Sequence, residues 1–214
     1  MQKIKSVLVD KVKNLEIILV GGGSRDNTVQ VAQSLGMRVI RQSRPGFGIA
    51  LLEGFRASGG RLCLTLDADF SHDPIFIPSM LKEIDNCDVV VAFRYVKGGS
   101  SNTTLFRQLL SRLFNLVFQF GLSLPIKDNT GNFRLYKKGV LDSILKDEFR
   151  EIENFAILPA VLVKVFAKGW LIKEIPFHYS SRKFGSSNFR LFKFLFEYIR
   201  FFMIMERKKQ YIIR

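Results

Sequence analysis

The chain has 214 residues, 47% hydrophobic and 24% charged, with a net charge of +14 and two cysteines. That length carries one α/β domain with a real core, and two cysteines set inside apolar runs (Cys63 and Cys87) read as buried thiols of a reducing compartment rather than a disulfide framework. The longest uncharged stretch, Leu113 to Ile126, has 14 residues. A spanning helix needs about 20 apolar residues, so no transmembrane helix is expected, and the Lys-interrupted N-terminus does not read as a signal peptide.

In chain order the elements alternate. "LEIILV" reads as a strand. "DNTVQVAQSLG" is a helix closed by Gly36, and "MRVIR" a strand. "GIALLEGFRASG" is a helix with Gly59 at its end, and "RLCLTL" a strand. "PIFIPSMLKEI" is helical despite Pro78, and "DVVVAF" is a strand. Continuous apolar strands between amphipathic helices predict a mostly parallel sheet with helices on both faces. Past residue 100 the pattern turns helical, with short strands near "FRLYKK" and "LIKEIPFHYSS".

The positive charge is localised. Residues 94–138 and residues 182–214 each carry a net +7, and the rest of the chain balances. The same two segments hold 12 of the 21 phenylalanines. In "FRLFKFLFEYIRFFMIM" the charged side chains Arg190, Lys193, Glu197 and Arg200 recur every three or four residues, one narrow stripe on an otherwise apolar helix. "LFRQLLSRLFNLVFQF" places Arg107, Ser111, Arg112, Asn115 and Gln119 on one side. A broad apolar face with a thin basic stripe fits an anionic membrane surface better than nucleic acid, which calls for a broad basic face. For the earlier helix a core packing with a solvated stripe serves equally well. The expected organisation is a domain over residues 1–188 followed by an amphipathic basic helix and tail over 189–214.

"LTLDADFSHDP" sets Asp67 and Asp69 just beyond the carboxyl end of a buried strand, where ligands of open parallel sheets collect. Residues i and i+2 of an extended segment point the same way, so both carboxylates would face one site and suit a divalent cation with a diphosphate. His72 and His178 read as turn and strand residues.

Five blocks, "EIILVGGGSRDNT", "RPGFGIALLEGFRASGGRLCLTLDADFSHDP", "AFRYVKGG", "DNTGNFRLYKKGVL" and "IKEIPFHYSSRKFGSSNF", follow the order and spacing of family 2 glycosyltransferases. The resemblance covers residues 15 to about 190 and is nearest to the polyprenyl-phosphate group that includes dolichyl-phosphate mannose synthases. It implies a GT-A-like fold and an inverting transfer of a sugar, mannose first, from a nucleotide diphosphate donor such as GDP-mannose to a polyprenyl phosphate. The enzyme would sit peripherally on the cytoplasmic face of a membrane. Glucose or another hexose, and a non-catalytic member binding membrane or a partner, remain alternatives.

The resemblance also assigns residues. Asp67, Ala68 and Asp69 stand where the family binds donor diphosphate and Mg²⁺ or Mn²⁺, the metal on Asp67 and Asp69. Arg94, Arg107 and Arg182 match arginines near the acceptor phosphate, and Asp69, Arg94 and Arg182 are the candidate catalytic groups, with Arg94 and Arg182 also on the donor. Two departures stand out. Gly21, Gly22, Gly23 and Ser24 replace an Asp-Asp-Gly-Ser turn, so two carboxylates are missing while Asp26 keeps a helix-capping role. The family's first strand has no counterpart ahead of "LEIILV", which would leave backbone groups of its neighbours unpaired.

Overall fold

The computed structural model describes residues 1–21, 26–146, 149, 154–180 and 196–204. Its elements are α1 (Gln2–Leu8), β1 (Ile18–Gly21), α2 (Thr28–Ser34), β2 (Arg38–Arg41), α3 (Phe47–Ala57), β3 (Leu62–Thr65), α4 (Ile77–Glu83), β4 (Val89–Phe93) and β5 (Ser100–Ser101). Then come α5 (Leu105–Gly121), β6 (Arg134–Lys137), α6 (Lys138–Ile144), α7 (Ile157–Ala167), β7 (Ile172–Pro176) and β8 (His178–Tyr179). Residues 196–204 are helical.

The expected α/β alternation is present, with local differences. Gly36 ends α2 with φ of 75°, a conformation that costs glycine little. Helix α3 stops at Ala57, before Gly59. The Pro74–Phe76 stretch is a 3₁₀ turn that leads into α4, so Pro78 falls in the first turn, where its missing N–H breaks no hydrogen bond.

β4 is the centre of the molecule. It lies in a sheet of order β3-β6-β4-β7, and all five of its residues are buried. Val89 and Val91 join the core with α3, α5, α6, α7 and the 196–204 helix, while Val90 and Ala92 join a second core with α1 and α4. That division is the two-residue alternation of a strand covered on both faces. β3, β4 and β7 run the same way, and β6 is antiparallel to both its neighbours. The mostly parallel sheet therefore has one opposed strand, inserted between β3 and β4. Helix α7 is apolar nearly all round, and eight of its eleven residues are buried.

β1 and β2 form a separate parallel pair. Among the described residues β1 pairs with β2 alone and β3 with β6 alone, so each has one unpaired edge there. All four residues of β1 are only half-buried despite its Ile-Leu-Val sequence. Helix α3 spans the break: Gly54 lies against Val20 of β1, while Leu52 and Phe55 enter the core on β4.

The two basic, Phe-rich segments behave differently from one another. Helix α5 turns its apolar side outward, with Leu105 83% and Phe120 78% exposed and Phe106, Leu109, Leu113, Leu116 and Val117 exposed between them. Its polar Asn115 is buried together with Phe118. In the 196–204 helix, Phe196, Ile199 and Met203 are exposed, but Tyr198 and Phe201 are core residues and Phe202 stacks on Phe118 at 5.1 Å. The expectation of a helix lying wholly in an interface is corrected for this stretch, because its aromatic side fills the space beside α5. Arg190 and Lys193 lie outside the described residues. Among the described residues no helix is long and apolar enough to cross a membrane.

Candidate active site

The site is built where β3 ends. Thr65 Oγ1 donates to the main-chain oxygen of Asn132 at 2.6 Å, tying that end to the start of β6. Two residues on, the N–H of Asp67 donates to His72 Nδ1 at 3.0 Å, and Asp67 Oδ1 accepts from Asn132 Nδ2 at 3.0 Å. Asp67 is thus held through both main chain and side chain.

The chain does not stay extended to Asp69. It turns at Ala68 and Asp69, and Phe70 has φ of 64°. Asp69 Oδ1 accepts from the N–H of Ser71 at 3.0 Å and from its Oγ at 2.6 Å, the Asx turn that short carboxylates favour. Of the pair, Asp67 lines the cleft, and the turn engages Asp69 through Oδ1. Ala68 is an exposed turn residue between them.

His72 is buried beneath this turn, stacked on Phe133 at 5.2 Å and met edge-on by Phe177 and Tyr179. Burial pushes its imidazole below the usual value, outweighing the nearby Asp67 and Asp69 carboxylates that would raise it. The geometry agrees, since an Nδ1 that accepts an N–H carries no proton. Reading it as a turn residue missed this support role.

Arg94, just past the end of β4, also lines the cleft. Its Nη2 donates to Ser111 Oγ of α5 at 3.0 Å, and its guanidinium lies 4.4 Å from the Tyr179 ring centroid and 5.2 Å from that of Tyr95. Arg107 is exposed on α5, one turn before Ser111 and on the same side of the helix. Arg182 lies outside the described residues, as do Gly22, Gly23 and Ser24. Asp26 Oδ1 accepts from the N–H and the hydroxyl of Thr28, a local turn at the entrance to α2, but the N-cap position itself is Asn27 and carries no side-chain capping bond, which corrects the expected cap at Asp26.

The loop before β6 closes the cleft with residues to which sequence reasoning gave no role. Glu174 Oε1 accepts from the N–H groups of Lys127 and Asp128 at 2.8 and 2.7 Å. Burial raises the Glu174 carboxyl, against those two donors. Asp128 Oδ1 accepts in turn from the N–H groups of Thr130 and Gly131 at 3.0 and 2.7 Å. A Cβ on residue 131 would run into the Asp128 carboxylate, so the turn needs glycine. Asp128, Thr130 and Asn132 line the cleft beside Phe47 and Phe155, which stack at 4.8 Å. Buried Arg134 donates to the carbonyls of Leu158 and Asn129 and is a framework residue. Nothing in "DNTGNFR" separates these roles from ordinary turn chemistry.

Among the described residues no cluster of three His, Cys, Asp or Glu side chains forms a metal cage. Two aspartates at a strand end still fit Mg²⁺ or Mn²⁺, which use one or two carboxylates and complete their shell with substrate phosphates and water.

The family model for glycosyl transferase family 2 matches residues 2–145. The chain belongs to glycosyltransferase family 2. It is 33% identical over 196 residues to a dolichol-phosphate mannosyltransferase of Pyrococcus furiosus, covering 87% of this chain and 54% of that protein. It is 28% identical to an undecaprenyl-phosphate 4-deoxy-4-formamido-L-arabinose transferase of Salmonella paratyphi B, covering 86% of this chain and 55% of that one. The chain thus spans about half the length of the curated relatives it matches. Among solved structures, glucosyl-3-phosphoglycerate synthase from Mycobacterium tuberculosis in complex with Mn²⁺ and UDP-glucose superposes with a TM-score of 0.64. That likeness is at 19% identity and covers 92% of this chain and 69% of the other. The fold of this family 2 chain is therefore the GT-A-like α/β arrangement its sequence led one to expect.

Proposed function

We propose that this chain transfers a hexose, mannose first, from a nucleoside diphosphate sugar to a polyprenyl phosphate at the cytoplasmic face of a membrane. The observation that carries the reading is the Arg94–Ser111 bond. It joins a cleft arginine to a helix whose exposed face is largely apolar and whose inner side adds the polar Ser111 and Asn115 to the buried Phe118. A guanidinium suited to phosphate oxygens then stands at the root of a surface suited to lipid. Both relatives are named for polyprenyl phosphates, which supports the acceptor class.

The chemistry follows from charge. An acceptor phosphate is already anionic, so one of its oxygens attacks the sugar C1 without a general base. The C1–O bond to the diphosphate breaks on the opposite side, the bonding pair leaves with the nucleoside diphosphate, and the anomeric centre inverts. Arg94, Arg107 and Arg182 would neutralise the acceptor phosphate, and Arg94 and Arg182 also the donor diphosphate. Asp67 and Asp69 would hold Mg²⁺ or Mn²⁺, which when bound offsets the charge of the leaving diphosphate. His72 fixes the Asp67 main chain in place before the donor arrives.

Glucose is a second reading of the donor, because the structural neighbour was solved with UDP-glucose. The test is a transfer assay with the full chain, vesicles containing polyprenyl phosphate, and labelled GDP-mannose or UDP-glucose. The reading expects metal-dependent label in the lipid phase, lost in Asp69→Ala and reduced at least tenfold in Arg94→Ala. A folded chain that transfers neither sugar would favour the non-catalytic alternative.

A further inference from the structure

We infer that Asn132 is a positioning residue for the donor complex, acting through Asp67. The inference rests on the donor-site reading above and concerns a residue that reading does not require.

Residue 132 grips the Asp67 segment twice. Its main-chain oxygen takes the Thr65 hydroxyl at 2.6 Å, which fixes the two strands against each other. Its side-chain Nδ2 donates to Asp67 Oδ1 at 3.0 Å, which fixes the carboxylate itself. Only 9% of Asn132 is exposed, so the amide has little room to leave that bond. A carboxylate has about four acceptor positions, and one N–H occupies only one of them. Asp67 is therefore oriented without being used up. An aspartate at 132 would face Asp67 with a second negative charge, and an alanine would leave its rotamer free. The amide supplies a donor with no charge.

The other end of the same amide points to a ligand. Asn132 Oδ1 is buried and has no hydrogen-bond partner. Buried polar atoms are normally satisfied, and leaving one unmade costs about 1–3 kcal/mol. Asn132 lines the cleft with Asp67, Asp128 and Arg94. A water in the shell of a cation on Asp67 is a donor of the right kind for that oxygen. Partners of metal ligands act in this way elsewhere, and losing one lowers metal affinity about 10–100-fold.

The competing view is that Asn132 merely stabilises the junction of β3 and β6. Mn²⁺ titration in the presence of GDP, followed by the electron paramagnetic resonance of free Mn²⁺, separates the two. Asn132→Ala removes the side-chain grip and keeps the main-chain one, so Mn²⁺ affinity falls about tenfold with little change in the unfolding midpoint. Thr65→Val removes the main-chain grip, so the midpoint falls and Mn²⁺ affinity stays within about twofold, the inverse pattern that a purely outer-shell role demands. Should Asn132→Ala not fold, Asn132→Ser leaves room for a bridging water and carries the same expectation at reduced size. Unchanged affinity in the folded variant, or equal losses in the Thr65 and Asn132 variants, overturns the inference. Failure of the unmutated chain to bind Mn²⁺ with GDP overturns the donor-site reading instead, and the inference with it.

Discussion

His72 shows how a single buried ring can hold a cleft residue in place. Its Nδ1 accepts the Asp67 N–H, so the folded chain keeps it neutral, and burial holds its pKa below the ordinary 6.5. An unfolded chain takes up that proton more readily. Stability therefore rises with pH between the folded value and about 6.5, falls as pH drops through that window, and is indifferent to this group above it. Thermal unfolding between pH 7.5 and 5 should show the midpoint falling toward acid. His72→Phe keeps the stacking on Phe133 and should lose that slope, while costing about 1–3 kcal/mol at neutral pH for the abandoned N–H. At this scale the sequence was uneven. Asp67 at the cleft was legible because an aspartate just past an apolar strand is a recognisable arrangement. Asn132 was not, since its partner lies 65 residues away and asparagine is common in turns.

At the scale of elements, α5 is the informative one. Periodicity revealed its two sides but not which side meets the core, because a helix amphipathic by sequence packs with either side inward according to what its neighbours offer. Here Asn129 N–H and Arg94 offer polar partners to Asn115 and Ser111, and only Phe118 is taken wholly into the apolar core. Leu109→Gln with Leu113→Gln should therefore leave the unfolding free energy almost unchanged and weaken flotation with anionic vesicles. Phe118→Ala should cost about 3–5 kcal/mol, the usual loss for a buried phenylalanine. High salt should release part of the bound protein, since each Lys or Arg near an anionic surface contributes on the order of 1 kcal/mol. Equal destabilisation by the Leu pair and by Phe118→Ala would show that the outer face is packed in solution. For the last helix, polar substitution of Ile199 belongs with the surface set and of Phe202 with the core set.

Across the whole molecule, the layered α/β arrangement was legible from alternating apolar runs, whereas the antiparallel β6 was not. A strand of four residues carries no mark of its direction, which is set by the connection through α5. The break between the β1–β2 pair and the four-stranded sheet leaves the two parts unequal in stability. Few buried contacts and an unpaired edge favour local opening. Amides of β1 should exchange with solvent at least about 100-fold faster than those of β4, which open only with the whole fold. Comparable protection of both strands would mean that the edge of β1 is covered in solution.

The Arg94–Ser111 bond has a kinetic consequence under the proposed function. If the exposed apolar face of α5 meets lipid as proposed, the acceptor would reach the cleft by lateral diffusion in two dimensions. What counts then is the number of acceptor molecules per unit of surface, as a tether sets effective concentration independently of volume. Adding buffer while vesicle composition is constant, with enough lipid to keep the protein bound, should leave the turnover rate as it was. Adding inert lipid to the vesicles should lower it in proportion to the acceptor's mole fraction. A rate that instead follows bulk acceptor concentration would mean that the acceptor is drawn from solution.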